Sequence, residues 1–165
     1  MPQRAYPRLF TNNVMELQRI INQMCDWIFA TGASPTATST GIGTAIQVFM
    51  PTPDLQLGLS ASQIPGTEIT LSPGKWLVVG LFFFSFNTPN GFCYGGLTID
   101  GSPDPHLVEV GSTGPVAAER FSPERTWLVD SPNGGIVNLF AGHNNLTAGA
   151  FIVAGQTSIL AVRIA

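Results

Sequence analysis

Residues 76–86 read Trp76-Leu-Val-Val-Gly-Leu-Phe-Phe-Phe-Ser-Phe86 and follow directly on Ser72-Pro-Gly-Lys75. A strand with one face in water alternates apolar and polar side chains. Here both alternating sets are apolar: Trp76, Val78, Phe82, Phe84 and Phe86 on one face, and Leu77, Val79, Leu81 and Phe83 on the other. We expect one face to meet a second sheet. The other face must then be covered by something else, and a neighbouring subunit is the simplest candidate.

The composition supports the same interpretation. A chain of 165 residues is long enough to bury one large core without metals or disulfides. Only 10% of its residues are charged, against roughly 25% in ordinary soluble domains, and 44% are apolar. So few charges leave much of the surface apolar, which predicts oligomerisation. The alternative is an extracellular monomer whose surface is rich in Ser, Thr and Asn.

Charge and cysteine content narrow the range of partners. The net charge is −3 with no basic run, which argues against nucleic acid as a partner. Cys25 and Cys93 lie far apart in the chain and are expected to be buried free thiols. The first ten residues lack the apolar core of a secretory signal, and residues 76–86 are too few to cross a bilayer as a helix. No membrane partner is expected.

The N-terminal residues divide into an arm, a helix and a linker. Prolines in residues 1–10 favour an extended arm over a helix, and the alternative is a frayed terminus. The arm residues expected to lie on another protein are Arg4, Tyr6, Arg8, Leu9 and Phe10. Residues 11–31 are predicted to form an amphipathic helix, capped by Asn13 with Glu16 three residues on. Residues 32–43 are small and polar and indicate a flexible linker.

The helix carries an apolar stripe at coiled-coil spacing. Its members are Val14, Leu17, Ile21, Met24 and Ile28. Two explanations stay open: the helices of several copies form a bundle, or the helix packs on its own domain. The stripe is buried in both.

Residues 44–165 are predicted to form an antiparallel sandwich or jelly roll, so the fold class is mainly β. Short apolar runs alternate with turn signals, and no helical period appears between them. The runs lie near 44–49, 67–71, 76–86, 92–99, 106–110, 126–129, 135–141, 149–153 and 157–164.

Two segments carry a resemblance to a known superfamily. One is Gly66-Thr-Glu-Ile-Thr-Leu-Ser-Pro-Gly-Lys-Trp-Leu-Val-Val-Gly-Leu-Phe82, and the other is the closing run Ala154-Gly-Gln-Thr-Ser-Ile-Leu-Ala-Val-Arg-Ile-Ala165. Over residues 44–165 the pattern resembles the tumour-necrosis-factor and complement-globular-head superfamily. Bacteriophage virion proteins with an N-terminal helix and a C-terminal jelly roll have a similar layout. The chain lacks the collagen-like stalk and signal peptide of the secreted members.

The resemblance implies a homotrimer made in the host cytoplasm and carried on the virion. Trp76, Val78, Phe82, Phe84 and Phe86, or else the opposite face of that strand, would line the threefold axis. The expected function is decoration of a bacteriophage capsid, with the arm and helix gripping the major capsid protein or another virion protein. The alternative is the receptor-binding tip of a tail fibre or spike, with loops 87–91 and 142–147 contacting a host glycan or protein.

No persuasive active site is found, and neither an enzymatic activity nor a metal or other cofactor is expected. His106 and His143 lie in separate segments without metal-ligand spacing. Asp100 and Asp104 flank a Gly-Ser-Pro turn, for which a Ca²⁺ site is the minor alternative. The sequon at Asn145 matters only in a secreted protein. A polar loop apex formed by Asn138 with residues 143–145 is interpreted as a turn rather than a sugar contact.

Overall fold

The computed structural model describes the backbone of residues 27–31 and the residues of segments 43–86, 91–111, 119–144 and 149–165. The described residues form β-strands and no helix, which confirms the mainly β fold class. The strands are β1 Trp27–Thr31, β2 Ala45–Phe49, β3 Leu55–Gln56, β4 Ser62–Gln63, β5 Ile69–Leu71, β6 Gly74–Leu81, β7 Phe84–Phe86, β8 Phe92–Ile99, β9 Ser102–Pro103, β10 Val108–Gly111, β11 Glu119–Phe121, β12 Glu124–Ser131, β13 Gly135–His143, β14 Ala150–Ile152 and β15 Ser158–Arg163.

The first layer consists of two sheets that continue into each other. The longer sheet has the order β1-β2-β15-β6-β12, and the shorter has the order β11-β7-β14-β3. Each strand of the shorter sheet is adjacent in the chain to one strand of the longer sheet: β3 to β2, β14 to β15, β7 to β6 and β11 to β12. The shorter sheet therefore repeats the neighbour order of those four strands. The Phe82 N–H donates to the Pro123 carbonyl at 3.0 Å where the two halves meet. We call the two sheets together the first layer.

The second layer is a single sheet with the order β10-β8-β13-β4, in which β5 also pairs with β13 and β9 with β8. Side chains from both layers form one hydrophobic core. Gly80 and Gly95 allow the layers to approach closely: a Cβ on Gly95 would lie 2.6 Å from the Phe82 ring, and one on Gly80 would lie 2.9 Å from Leu139. Larger residues at these positions would push the layers apart.

Each of the nine apolar runs identified in the sequence overlaps a strand, and the run at residues 92–99 coincides with β8. Every pairing between the named strands is antiparallel except one, the parallel pairing of β1 with β2. The short strands β3, β4, β9 and β11 lack an apolar run of their own and were not predicted. They exist because a neighbouring strand offers backbone hydrogen bonds.

The helix predicted over residues 11–31 is wrong at its C-terminal end. Trp27–Thr31 is strand β1, and Ile28 pairs with Ile46 of β2. The segment is rich in aromatic and β-branched residues, which suit a strand, and pairing along β2 satisfies its backbone groups. Residues 1–26 and 32–42 lie outside the described residues. They include the predicted arm, most of the linker and four stripe residues, Val14, Leu17, Ile21 and Met24.

One face of the long apolar stretch belongs to the core of the subunit. Trp76, Val78, Phe82, Phe84 and Phe86 are at most 1% exposed within this single chain. The Trp76 indole N–H donates to the Ser72 carbonyl at 2.9 Å, and the Phe82 and Phe84 rings stack with centroids 5.8 Å apart. These side chains have no surface left for a neighbouring subunit. Their assignment to a trimer interface is therefore corrected.

Cys93 is a buried free thiol on β8, as expected. Desolvation by burial raises the pKa of its thiol to about 12. We therefore expect a Cys25→Ser variant to show no reaction with a thiol-specific disulfide reagent at neutral pH, because the reactive thiolate is absent and the sulfur is covered. Adding denaturant should release one reactive thiol per chain, measured by absorbance. Rapid labelling of the folded variant would contradict this expectation.

Candidate functional site

The opposite face of β6 points away from the core and stays partly exposed. Leu77 is 37% exposed, and Val79, Leu81 and Phe83 are half-buried. Side chains that alternate along a strand lie on opposite faces of the sheet, so burial of Trp76 and Val78 places Leu77 and Val79 outside. The first layer therefore has an apolar outer surface along its central strand.

Neighbouring strands widen this surface. Leu128 of β12 lies directly opposite Leu77, and Val162 of β15 lies opposite Leu77 on its other side. Leu128 is 69% exposed. We define the apolar face as Leu77, Val79, Leu81, Leu128, Leu160 and Val162. An ordinary antiparallel sheet with one solvated face carries polar residues at such positions.

Polar residues flank the apolar face. Lys75, the only lysine of the chain, pairs across the strands with Asp130, and their charged atoms are 3.6 Å apart. At the other end Glu124 lies opposite Leu81. An exposed pair such as Lys75–Asp130 contributes little to stability. An apolar centre with a polar rim is typical of protein–protein interfaces.

A second feature is a small cleft at the free edge of the first layer. It has a volume of about 270 Å³ and lies between β12 and the segment that joins β9 to β10. We call it the polar cleft. Its lining residues are Asp104, His106, Arg125, Thr126, Trp127 and Leu128.

Asp104 and His106 form a bonded pair on one side of the polar cleft. Asp104 Oδ1 accepts a hydrogen bond from the His106 backbone N–H at 2.8 Å and lies 2.8 Å from His106 Nδ1. Desolvation acts to raise the pKa of Asp104, but the hydrogen bonds and charge of His106, together with the Trp127 indole, outweigh it and lower the pKa below its usual 3.8. Asp104 is therefore an anion at neutral pH.

This pKa shift predicts a pH-dependent contribution to stability. A carboxyl group whose pKa is lowered by folding stabilises the folded state above its unfolded pKa, and that contribution is lost as the pH falls through the folded pKa. The stability difference between the wild type and Asp104→Asn should therefore shrink as the pH falls from about 6 to below 3.8, which urea unfolding at a series of pH values measures. The effect should be weaker in a His106→Ala background. A difference that stays constant with pH would contradict it.

On the other side of the polar cleft, hydrogen-bond donors outnumber acceptors. Arg125 Nη1 donates to the Leu107 carbonyl at 3.0 Å, but the buried Arg125 Nε has no partner. The Trp127 side chain is only 5% exposed, and its buried indole N–H lies near Asp104 but outside normal hydrogen-bond geometry. The two nitrogen atoms have almost no accessible surface, so a missing hydrogen bond there is a cost to the fold and not a contact that a ligand could reach.

The structure separates the polar residues singled out in the sequence. Asp100 Oδ1 accepts a hydrogen bond from the Ile136 N–H at 2.8 Å, so that side chain supports a turn. Asn138 is buried in β13, 2.8 Å from the Thr67 hydroxyl, and is a structural residue rather than part of a loop apex. Residues 145–148, with the sequon, lie outside the described residues. Among the described members of this set, Asp104 and His106 come together.

The sequence analysis missed Arg125 and Trp127. Their two-residue spacing on a strand indicates a shared face. Nothing in that spacing reveals that residues 104–107 lie beside it.

The described residues contain no group of three or more His, Cys, Asp or Glu side chains that could hold a metal ion. Within the same ranges, no helix has the length and apolar character needed to traverse a membrane.

Comparisons with known proteins leave the family open. No protein-family model matches the chain, and no curated protein matches it. Among solved structures it is similar to dimeric latent PorU from Porphyromonas gingivalis, with 12% identity and a TM-score of 0.43. That match covers 83% of this chain and 14% of the PorU chain. The chain thus spans about a seventh of that protein, and so weak a likeness carries no argument about function.

Proposed function

We propose that this chain is the subunit of a homotrimeric jelly-roll protein that decorates a bacteriophage capsid. The observation that carries the proposal is the apolar face, which the single chain leaves partly exposed on its first layer. Burying apolar surface contributes about 2.5 kcal/mol for each 100 Å² removed from water, at about 25 cal/mol per Å². A second copy is the simplest cover, because every copy carries the same face.

The order of the strands supports the jelly-roll part of the proposal. If each short strand of the first layer is counted with the long strand that it continues, β4 and β5 are counted as one strand, and β1 and β9 are set aside, eight strands remain. Numbered along the chain, they follow the order 1-8-3-6 in the first layer and 2-7-4-5 in the second. This alternation between layers supports a jelly roll of two Greek keys, a fold that viral capsid proteins use.

The role on a capsid is supported by the composition and by the resemblance to phage virion proteins. A subunit with only 10% charged residues suits a surface covered by many protein contacts. In this role the arm residues Arg4 to Phe10 would bind the major capsid protein or another virion protein, and no cofactor takes part. Many equivalent sites on one particle would strengthen binding by avidity.

The mass of the protein in solution tests the assembly. Light scattering at micromolar concentration should give three times the chain mass, and a monomer or dimer would refute the trimer. Its place on the virion is tested separately by electron microscopy of intact particles that contain the protein. The expected result is a threefold knob on the capsid, and density at a fibre tip would instead favour the receptor-binding alternative.

A variant lacking residues 1–26, which keeps strand β1, separates the two parts of the proposal. It is expected to remain trimeric but to lose binding to particles that lack the protein, since the arm and not the apolar face would grip the capsid. A truncated trimer that still binds particles would refute the role of the arm. Loss of the trimer would instead assign the N-terminal segment to assembly.

A further inference from the structure

We propose that strand β1 of each subunit pairs with β2 of a neighbouring copy, so that exchanged strands join the subunits of the assembly. This inference rests on the proposed trimer and names the segment that connects its members. It follows from three properties of β1: its place outside the jelly roll, the direction of its pairing and its position beside the apolar face.

The jelly roll is complete without β1. Its eight strands alternate between the two layers, and β1 is added at the edge of the first layer, where it pairs with β2. β2 itself is firmly anchored, because Ile46 and Val48 are fully buried in the core. Every subunit therefore presents the edge of a well-packed strand, and such an edge favours pairing with an added strand.

The direction of β1 requires a long connection to β2. The two strands are parallel, with Trp27 opposite Ala45 and Thr31 opposite Phe49. Within one chain, residues 32–44 would have to return about 13 Å along β2, at about 3.3 Å per residue. A fully extended segment of the same length spans about 45 Å. The connection is therefore long enough to reach another subunit.

β1 runs along the margin of the apolar face. Through the registered pairs of β1, β2, β15 and β6, Trp27 stands in the same row of the first layer as Leu77. Phe29 stands in the row of Val79 in the same way. In the proposed trimer another copy covers this face, so β1 lies close to the neighbour's sheet.

Exchange removes a conflict at this margin. If β1 paired within its own chain, the return of residues 32–44 would run beside the apolar face and place small polar residues against the subunit contact. If β1 pairs with the neighbour, the connection passes between subunits and no return is needed. Exchange of an identical element between copies is a low-cost route to assembly.

A pair of cysteines distinguishes exchange from pairing within one chain. Phe29 lies opposite Gln47, and adjacent strands are close enough for a disulfide between such positions. The variant Cys25→Ser/Phe29→Cys/Gln47→Cys, in which the remaining Cys93 is buried, is oxidised with copper–phenanthroline. Exchange is expected to convert most of the chain into covalent trimers on a non-reducing denaturing gel. Internally bonded monomers, from a protein that is trimeric by light scattering, would overturn the exchange and leave the trimer intact.

A matched control moves one cysteine to a strand of the jelly roll itself. In Cys25→Ser/Gln47→Cys/Leu160→Cys the second cysteine lies on β15, opposite Gln47. This variant should give internally bonded monomers on the gel whether or not β1 is exchanged. If the control forms its disulfide and the β1 variant forms none, the pairing of β1 with β2 is refuted. Covalent dimers as the final product would support the exchange but refute the trimer.

Mixed subunits provide a second measurement if the double substitution disturbs folding. Cys25→Ser/Phe29→Cys and Cys25→Ser/Gln47→Cys are unfolded together, refolded and oxidised. A disulfide between the two variants, identified by mass spectrometry, requires that β1 of one chain pairs with β2 of another. Either variant oxidised alone lacks the pair and should give no such product. Trimers that contain both variants but no mixed disulfide would overturn the exchange.

Discussion

Substituting glutamate for both Leu77 and Leu128 is expected to convert the proposed trimer into folded monomers. The two side chains lie opposite each other on the apolar face and are 37% and 69% exposed in the single chain, so the change does not disturb the core. In an assembled interface, an unpaired buried carboxylate costs several kcal/mol. With two such groups per subunit, the dissociation constant should rise by at least about a thousandfold. Light scattering across a micromolar dilution series measures this.

A matched control shows whether dissociation depends on the location of the new charges or only on their number. Leu59 and Ile136 are 49% and 43% exposed and lie outside the apolar face. The variant Leu59→Glu/Ile136→Glu carries the same added charge and should remain trimeric. If Leu77→Glu/Leu128→Glu also stays trimeric, the apolar face is not the interface. If both variants dissociate, general charge repulsion rather than a local contact is responsible.

Replacing Trp76 by alanine is expected to lower the free energy of unfolding by about 3–5 kcal/mol. The side chain is fully buried, so its loss leaves a cavity and removes the hydrogen bond from its indole N–H to the Ser72 carbonyl. This is a large share of the stability of a small domain, about 5–15 kcal/mol. Denaturant unfolding at a fixed protein concentration measures it, because stability and assembly are linked in an oligomer.

The conservative variant Trp76→Phe keeps most of the buried volume and should lose less than half as much stability. It also provides a measurable protein if Trp76→Ala does not fold. Substitutions on the two faces of β6 are thus expected to have different effects: changes at Trp76 reduce stability, whereas changes at Leu77 reduce assembly. If Trp76→Ala kept wild-type stability and lost the trimer, the assignment of Trp76 to the core would be wrong.

The strands were predictable because their signal is local. Side chains alternate along an extended chain, and Gly, Pro and Asn mark the turns, so the run at residues 92–99 matched β8 to the residue. The same local rule failed at Trp27–Thr31. There a heptad-like spacing suggested a helix, but pairing with β2 supplies backbone hydrogen bonds that no local pattern can represent.

The polar cleft shows a second limit of prediction from the sequence. Arg125 and Trp127 share a strand face, but Asp104 and His106, which line the cleft with them, come from an earlier segment of the chain. A site formed by two segments that meet only after folding has no characteristic residue spacing in the sequence. Asp104 was considered as a partner of Asp100, its neighbour in sequence, although Asp100 instead bonds to Ile136 of β13.

From its sequence alone, this protein could be assigned a mainly β fold with a long strand that is apolar on both sides, because alternation and turn residues act over a few neighbouring positions. Only the tertiary structure decided which side is the core. The second layer packs on Trp76, Val78 and Phe82 and leaves Leu77 and Leu128 at the surface. Burial depends on which distant strand covers a side chain, and that choice is made by packing over the whole domain.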